Sequence, residues 1–135
     1  MIVGVKVRLS HTIANEGKNE AEAYRRSLEA AKRCNVPLMV HHTFSTVPTQ
    51  SDGNTHQLCC PRDMRTGDIY THTYHGFESS IIDADKKTIH PDVIDARHRG
   101  VLFDVGHGQG SLNWTVVEMC AKVGFWPDII GSDLH

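Results

Sequence analysis

Short runs of apolar residues, rich in β-branched and aromatic side chains, recur along the chain between longer polar stretches. The runs lie at residues 2–9, 37–44, 68–73, 100–105 and 127–132, and glycine or proline flanks most of them. Runs of this length with such punctuation are typical of buried β-strands. The pattern therefore predicts five strands.

Helical periodicity appears between the first two strands, over residues 16–33. Tyr24, Leu28 and Ala31 fall at positions i, i+4 and i+7, which predicts one buried face. The charged residues are expected on the solvent faces of this helix: Glu16, Glu20, Glu22, Arg25, Arg26 and Lys32.

Two further helices are predicted. Residues 91–99 begin with a proline, which suits the first turn of a helix. A last helix follows Ser111, a candidate N-cap, and ends before Gly124. Its expected apolar stripe consists of Leu112, Val116, Met119 and Val123. Residues 45–64, which include two prolines, are expected to form a long loop with a short helix, and residues 77–90 a second long excursion.

Strands that alternate with helices indicate an α/β fold with parallel strands and outer helices. An open doubly wound sheet and part of a TIM (β/α)8 barrel both fit. No G-x-G-x-x-G motif follows the first strand, which disfavours a dinucleotide-binding sheet. Five strands do not close an eight-stranded barrel, and both termini interrupt the pattern abruptly. We therefore expect residues 1–135 to be a fragment of a single barrel domain.

Composition excludes some classes of function. The 135 residues carry a net charge of −2, which argues against nucleic-acid binding. No apolar stretch approaches the roughly 18 residues of a membrane span, and no secretory signal precedes the first strand. The four cysteines form no C-x-x-C pair, and reduced thiols in a cytoplasmic protein are the expectation.

The ten histidines of the chain are more than its length would ordinarily provide. Several of them, with a lysine and an aspartate, fall at the carboxyl ends of the predicted strands, where parallel α/β folds assemble their active sites. This group comprises Lys6, His41, His42, His72, His75, His107 and Asp133.

His41 and His72 end successive strands, so their imidazoles are expected to converge on one metal ion. The simpler alternative for any single histidine is a structural or surface role. His42 and His75 are weaker candidates that either face elsewhere or hydrogen-bond substrate.

Lys6 shares a strand face with Gly4, whereas Val5 and Val7 lie on the opposite, apolar face. Lys6 is therefore expected to point into the barrel, where burial lowers the pKa of an amine and frees it to form a carbamate with CO₂. The alternative is a lysine whose amine reaches solvent from the strand end.

Asp133 follows the last strand, where a carboxylate can bind metal and accept a proton from water. A helix N-cap is the alternative role. The glycine-rich segment 106–111 enters the last helix without the lysine of a P-loop, which favours a substrate-contact loop over a nucleotide site.

Four segments together resemble the amidohydrolase superfamily, in its dihydroorotase-like branch of deacetylases: residues 37–41, 67–76, 100–108 and 127–135. The resemblance implies a (β/α)8 barrel with one or two divalent metals, usually zinc, of which this chain would supply about strands 4 to 8. The family's His-x-His pair, expected on strand one, occurs nowhere in the sequence.

The resemblance also implies roles for individual residues. Lys6 would be the carboxylated lysine that bridges two metals, and His41 and His72 would be the ligands from strands five and six. Asp133 would be both ligand and proton shuttle. His75, His107 and Gly108 are expected to contact substrate.

The sequence thus predicts a metal-dependent hydrolase that cleaves an amide or ester bond in a small acylated molecule. The isolated fragment is expected to be inactive. A homo-oligomer is one assembly that the whole protein could form. The alternatives are a phosphoester or lactone hydrolase on the same barrel, and a metal-free fragment that serves as a binding or structural module.

Overall fold

The computed structural model describes residues 1–54 and 56–133. In chain order the elements are β1 (Val5–Leu9), α1 (Glu20–Cys34), β2 (Leu38–His42), β3 (Ile69–Thr71), β4 (Ile82–Asp83), β5 (Thr88–Ile89), α2 (Pro91–His98), β6 (Leu102–Asp104) and α3 (Trp114–Lys122). Leu134 and His135, which end the last segment of the family resemblance, lie outside the described residues.

Four strands form one parallel sheet in the order β1-β2-β3-β6. The fifth predicted strand is present as a single parallel bridge between Asp104 and Ile129, which places residues 127–133 beside β6. Because all these strands run the same way, their carboxyl ends meet at one edge of the sheet. The predicted parallel arrangement is confirmed for four of the five runs, and the fifth run contributes this one parallel bridge.

Helix α1 packs on the sheet through the predicted apolar stripe, in which Tyr24 and Ala31 are fully buried. The prediction that Glu20 lies in solvent was wrong. Its carboxylate is buried and accepts hydrogen bonds from Ser45 Oγ and from the amide and hydroxyl of Thr46. These donors come from the segment after β2, so this contact depends on tertiary structure and leaves no helical pattern in the sequence.

The N-cap of helix α3 lies two residues after the predicted position. Asn113, not Ser111, is the N-cap, and its side chain accepts from the amides of Thr115 and Val116. Gly124 follows the C-cap with a φ of +71°, as predicted for a helix end. Val123 is exposed, so the predicted stripe ends one turn early.

The two long connections differ from their predictions in detail. Residues 45–54 and 56–64 form turns without the expected short helix, and bury Val47, Cys60 and Met64 against the core. Residues 77–90 contain the short antiparallel pair β4–β5. None of the helices in the described residues combines the length and the apolar character that a membrane span requires.

Candidate metal centre

Two histidine rings meet at the carboxyl edge of the sheet. His41 lies near the end of β2, His72 directly follows β3, and both residues are buried, with 7% and 1% of their surface exposed. Nδ1 of His41 lies 2.7 Å from Nε2 of His72. The predicted convergence of the two imidazoles is therefore present in the structure.

The outer nitrogen of each ring is held by a neighbouring oxygen. His72 Nδ1 lies 2.6 Å from the carbonyl oxygen of Gly106, to which it donates, and His41 Nε2 lies 2.8 Å from the hydroxyl of Thr43. If His41 also donates outward, the lone pairs of both inner nitrogens face each other. Such a pair is stabilised by a cation between the rings, and partners of this kind fix the orientation of metal-binding histidines.

Asp133 completes a group of three donors. Its Oδ2 lies 3.3 Å from His72 Nε2, and candidate ligand atoms of His41, His72 and Asp133 all lie within 4.8 Å of one another. His72 and Asp133 both have positive φ, at +66° and +42°. Residues other than glycine adopt this conformation at a cost, and such strain is concentrated at functional sites.

Burial keeps both imidazoles neutral. Desolvation, followed by the neighbouring His72 and Arg8 charges, lowers the pKa of His41 to about 3. Desolvation also lowers the pKa of His72, although its hydrogen bond to Gly106 and the nearby Asp133 carboxylate oppose the shift. Neutral imidazole is the form that binds a metal, so both rings are ready ligands at neutral pH.

Gly106 allows His72 to take its position. A Cβ atom at Gly106 would lie 2.3 Å from Thr71 Oγ1 and 2.8 Å from the amide nitrogen of His72, and the residue has a φ of +50°. Only glycine fits both this conformation and this close approach. The first glycine of the predicted substrate loop therefore supports the candidate ligand His72.

Asp104 ties the strands of the site together, and sequence analysis did not identify it. Its buried carboxylate accepts from Thr71 Oγ1 at 2.6 Å and from the amide of Gly131 at 2.8 Å. Thr71 precedes His72, and Gly131 lies two residues before Asp133. Asp104 thus fixes the segments that carry two of the three donors. An aspartate inside a strand run was the available signal.

Lys6 lies on the cleft face of β1, opposite the buried residues Val7 and Leu9, as the alternation of the strand predicts. It is exposed, however, so the expectation that it is buried was wrong for the described chain. The reason is that β1 forms an edge of the described sheet. Arg8, two residues further along the same face, was not singled out from the sequence.

A cleft of about 540 Å³ opens above the three donors. Lys6, Arg8, Gly108 and Asp133 line it together with both imidazoles. Gln109 and Ser111, from the predicted substrate-contact loop, also line the cleft, as do residues that sequence analysis missed: Ser10, Thr12, Thr43, Phe44 and Phe77. Their positions depend on loops whose conformation has no periodic signal.

Two of the predicted substrate contacts lie apart from this cleft. His75 is fully buried, and its Nδ1 accepts from the amide of Phe77. His107 is exposed and does not line the cleft; its amide donates to the carbonyl of Gly131.

His42, the alternative candidate to His41, is buried on the other face, between the Tyr70 hydroxyl and the Val47 carbonyl. Of the two adjacent histidines, His41 is the one at the cleft.

A parallel α/β sheet that brings imidazole and carboxylate donors to the carboxyl ends of its strands is the arrangement of barrel enzymes. The chain is 28% identical over 134 residues to a deacetylase of Enterococcus faecalis, and 32% identical over 138 residues to a deacetylase of Brucella anthropi. Each match covers 99% of this chain but only 34% and 31% of the relative. No protein-family model matches the sequence.

Solved structures agree with these relatives. The chain superposes on an adenine deaminase with a TM-score of 0.81 at 28% identity, covering 100% of this chain and 34% of that one. For a dihydroorotase the TM-score is 0.74 at 31% identity, with coverage of 99% and 32%.

The chain therefore corresponds to part of an amidohydrolase-superfamily barrel, which confirms the predicted family and fold class. It spans about a third of the length of the curated relatives that it matches.

Proposed function

We propose that the protein hydrolyses an amide or ester bond of a small acylated molecule, as a deacetylase does, with the help of a divalent cation. The observation that carries this proposal is the convergence of His41 Nδ1, His72 Nε2 and the Asp133 carboxylate in one cleft. The relatives named deacetylase, together with the adenine deaminase and dihydroorotase neighbours, support hydrolysis of carbon–nitrogen bonds.

The donor set fits zinc. Two neutral imidazoles and one carboxylate are ligands that zinc prefers, and when both rings donate outward, to Gly106 and Thr43, both inner nitrogens present lone pairs to the cation. A bound divalent cation would polarise the carbonyl to be attacked and lower the pKa of water. Lys6, as a carbamate, is proposed to complete the site for one or two ions, since it lines the same cleft.

The residues of this chain then have separate tasks. His41 and His72 stay neutral and hold the cation, because their buried positions disfavour protonation. Asp133, with its carboxylate half exposed beside His72, takes a proton from the attacking water and returns it to the leaving nitrogen or oxygen. Gly108 lines the cleft, so its backbone is in a position to contact substrate. His75 and His107 do not line the cleft and would have to contact substrate from outside it.

Further parts of the proposal concern the size of the substrate, the location of the protein in the cell and its partners. A small acylated substrate suits a cleft of about 540 Å³. A cytoplasmic location is supported by four free cysteines. The absence of nucleic-acid and membrane partners, and a homo-oligomeric state, remain predictions from the sequence.

The test uses the full-length protein, purified with its metals and assayed on a panel of N-acetyl and O-acetyl compounds. Chelation should abolish hydrolysis and zinc should restore it. His72→Ala should lower kcat/KM by about 10³-fold or more and remove bound zinc, since a metal ligand is lost. The matched control His98→Ala changes an exposed histidine on α2 and should retain both zinc and activity.

Stoichiometric metal that survives His72→Ala would contradict the assigned ligand. A full-length protein that binds no divalent metal and hydrolyses no acylated compound would contradict the function itself. It would then favour a binding or structural module.

A further inference from the structure

Three loops that follow neighbouring strands form part of the cleft wall. Residues 10–19 follow β1, residues 43–47 follow β2 and residues 73–81 follow β3. Each of these loops contributes at least one side chain to the cleft: Thr12, Thr43 and Phe77. The loops contain turns and bends but no helix or strand, so contacts between the loops determine the shape of this wall.

The buried carboxylate of Glu20 joins the first two loops. Glu20 is the first residue of α1, and its Oε2 accepts from Ser45 Oγ and from both the amide and the hydroxyl of Thr46. The Thr46 hydroxyl also lies 3.1 Å from the carbonyl oxygen of Gly17. The start of α1 and the loop before it are therefore connected to the loop after β2.

The loop after β3 is connected to the same segment. The amide of Ser45 donates to Ser79 Oγ at 3.0 Å, and Thr49 Oγ1 donates to the carbonyl oxygen of Ser79 at 2.7 Å. Ser79 lies two residues after Phe77 of the cleft wall. We call the five residues that link the three loops the loop clamp: Gly17, Glu20, Ser45, Thr46 and Ser79.

The backbone at the loop clamp is adapted to this close approach. Gly17 has a φ of +82°, and a Cβ atom there would lie 2.3 Å from Thr46 Cγ2. Phe44, which precedes Ser45, has a φ of +46°, a conformation that a bulky residue keeps only where the surrounding structure holds it. The carbonyl of Phe44 accepts from the amide of His11 at 3.0 Å, which adds a further link between the first two loops.

The carboxylate of Glu20 is incompletely satisfied by these contacts. All three donors contact Oε2, whereas the buried Oε1 has no hydrogen-bond partner within residues 1–54 and 56–133. A buried polar atom without a partner costs free energy, and so does a buried carboxylate. The stability of the fold is therefore a poor account of this side chain. What the carboxylate provides is a fixed point to which donors from a separate loop attach.

We propose that Glu20 is a positioning residue, whose buried carboxylate holds the three loops in place and thereby fixes the cleft wall against which substrate binds. This inference rests on the proposed hydrolase function and adds to it a residue that does not line the cleft. The candidate ligands should be little affected by a displaced wall, because His41 and His72 are held by Thr43 and Gly106, which lie outside the loop clamp.

The experiment compares Glu20→Gln with a matched control, Asp68→Asn, in the zinc-loaded full-length protein. Asp68 is also fully buried and accepts from backbone amides, those of Leu38 and Arg65, but it precedes β3 and so lies at the opposite edge of the sheet from the cleft. Both variants remove the charge of a buried carboxylate and should lower stability. Glu20→Gln alone should loosen the three loops.

Amide hydrogen exchange, followed by mass spectrometry on peptides from the three loops, measures this loosening without any substrate. In Glu20→Gln all three loops should exchange about tenfold faster or more, because the acceptor that links them is weakened. In Asp68→Asn their exchange should change by less than about threefold.

Kinetics on acetylated substrates then separates a positioning role from a merely structural one. At a temperature where all variants are folded, Glu20→Gln should raise KM by about tenfold, while kcat and zinc content change by less than about threefold, since the wall contributes to binding and not to the metal centre. Asp68→Asn should leave KM within about twofold of its value in the unaltered protein.

Thr46 provides a second pair of variants if Glu20→Gln fails to fold. Thr46→Val removes a hydroxyl donor to the carboxylate and should change exchange and KM in the same direction, whereas Thr46→Ser keeps the hydroxyl and should restore both. Loops that exchange at unaltered rates, equal loosening in Asp68→Asn, or an unchanged KM despite loosened loops would overturn the proposal. Faster exchange of all three loops in a protein that hydrolyses nothing would support the loop clamp and contradict only the hydrolase function.

Discussion

The centre and the flanks of the candidate site are built differently. The central candidate ligands, His41 and His72, are buried on neighbouring inner strands and are held by hydrogen bonds from both sides. The flanking residues Lys6 and Asp133 lie at the two edges of the described sheet and are exposed. The centre is thus supported by the described chain itself.

This difference predicts that substitutions in the two regions have different consequences. Changes beneath the centre disturb packed side chains and buried hydrogen bonds, so they should affect the stability of the fold together with the site. Changes at the flanks alter groups in contact with solvent, so they should affect the chemistry of the site and leave the fold intact. The two classes of variant can be separated by measuring unfolding and metal binding on the same protein.

The largest effect on the unfolding free energy is expected at low pH, because further histidines are buried near the centre of the site. Burial lowers the pKa of His42 to about 4 and that of His75 to about 3. Both groups stay neutral in the native state at pH 5, while in the unfolded chain they bind protons below their ordinary pKa. Their contribution to stability is therefore complete above about pH 6.5 and is lost as the pH falls towards their native values.

For the metal-free protein, His42 and His75, together with His41, whose pKa burial also lowers to about 3, should lower the unfolding free energy by about 5 kcal/mol between pH 6.5 and pH 5, at about 1.6 kcal/mol each. Urea denaturation at each pH measures this slope. His42→Gln should remove about a third of it, because the other buried imidazoles remain, whereas His98→Gln, at an exposed position, should leave it unchanged. A stability that does not vary over this range would contradict the account.

The same comparison explains how far the sequence alone could lead. Period-two alternation placed Lys6 on the cleft face, and strand ends marked His41, His72 and Asp133, because these features are local. Asp104 and the buried Glu20 were missed because their hydrogen-bond partners lie at least 25 residues away in the sequence. The exposure of Lys6 was missed because it depends on which strands lie beside β1.

The next largest effect should come from Gly106, which lies against His72. Gly106→Ala would force a Cβ atom onto Thr71 Oγ1 and require a left-handed backbone, so a loss of about 3 kcal/mol is expected together with loss of zinc. Gly110→Ala is the matched control. It also has a positive φ, but its Cβ would meet nothing within 4 Å, so about 1 kcal/mol is expected and zinc should be retained. Equal losses for the two variants would exclude the proposed contact.

A smaller effect on stability is expected when Asp104, which connects the segments of His72 and Asp133, is replaced. Asp104→Leu leaves the Thr71 hydroxyl and the Gly131 amide without their acceptor, which should cost about 2 kcal/mol and weaken zinc binding. Asp104→Asn keeps an oxygen for Gly131 and should restore most of the stability and the zinc affinity. If Asp104→Asn behaves like Asp104→Leu in both measurements, the carboxylate has a role other than holding these two segments.

The smallest effect on stability is expected from a substitution of Lys6 at the flank. This substitution separates the stability of the fold from metal binding most clearly. Lys6 is exposed on an edge strand of the described sheet, so Lys6→Gln should change the unfolding free energy of the metal-free 135-residue chain by less than about 0.5 kcal/mol. In the full-length protein the same change should reduce zinc content and hydrolysis, because glutamine cannot form a carbamate. Added short-chain carboxylic acids, which can occupy the place of a carbamate, should restore part of the activity. A variant that keeps full zinc content would show that the centre, with Asp133, binds the metal without Lys6.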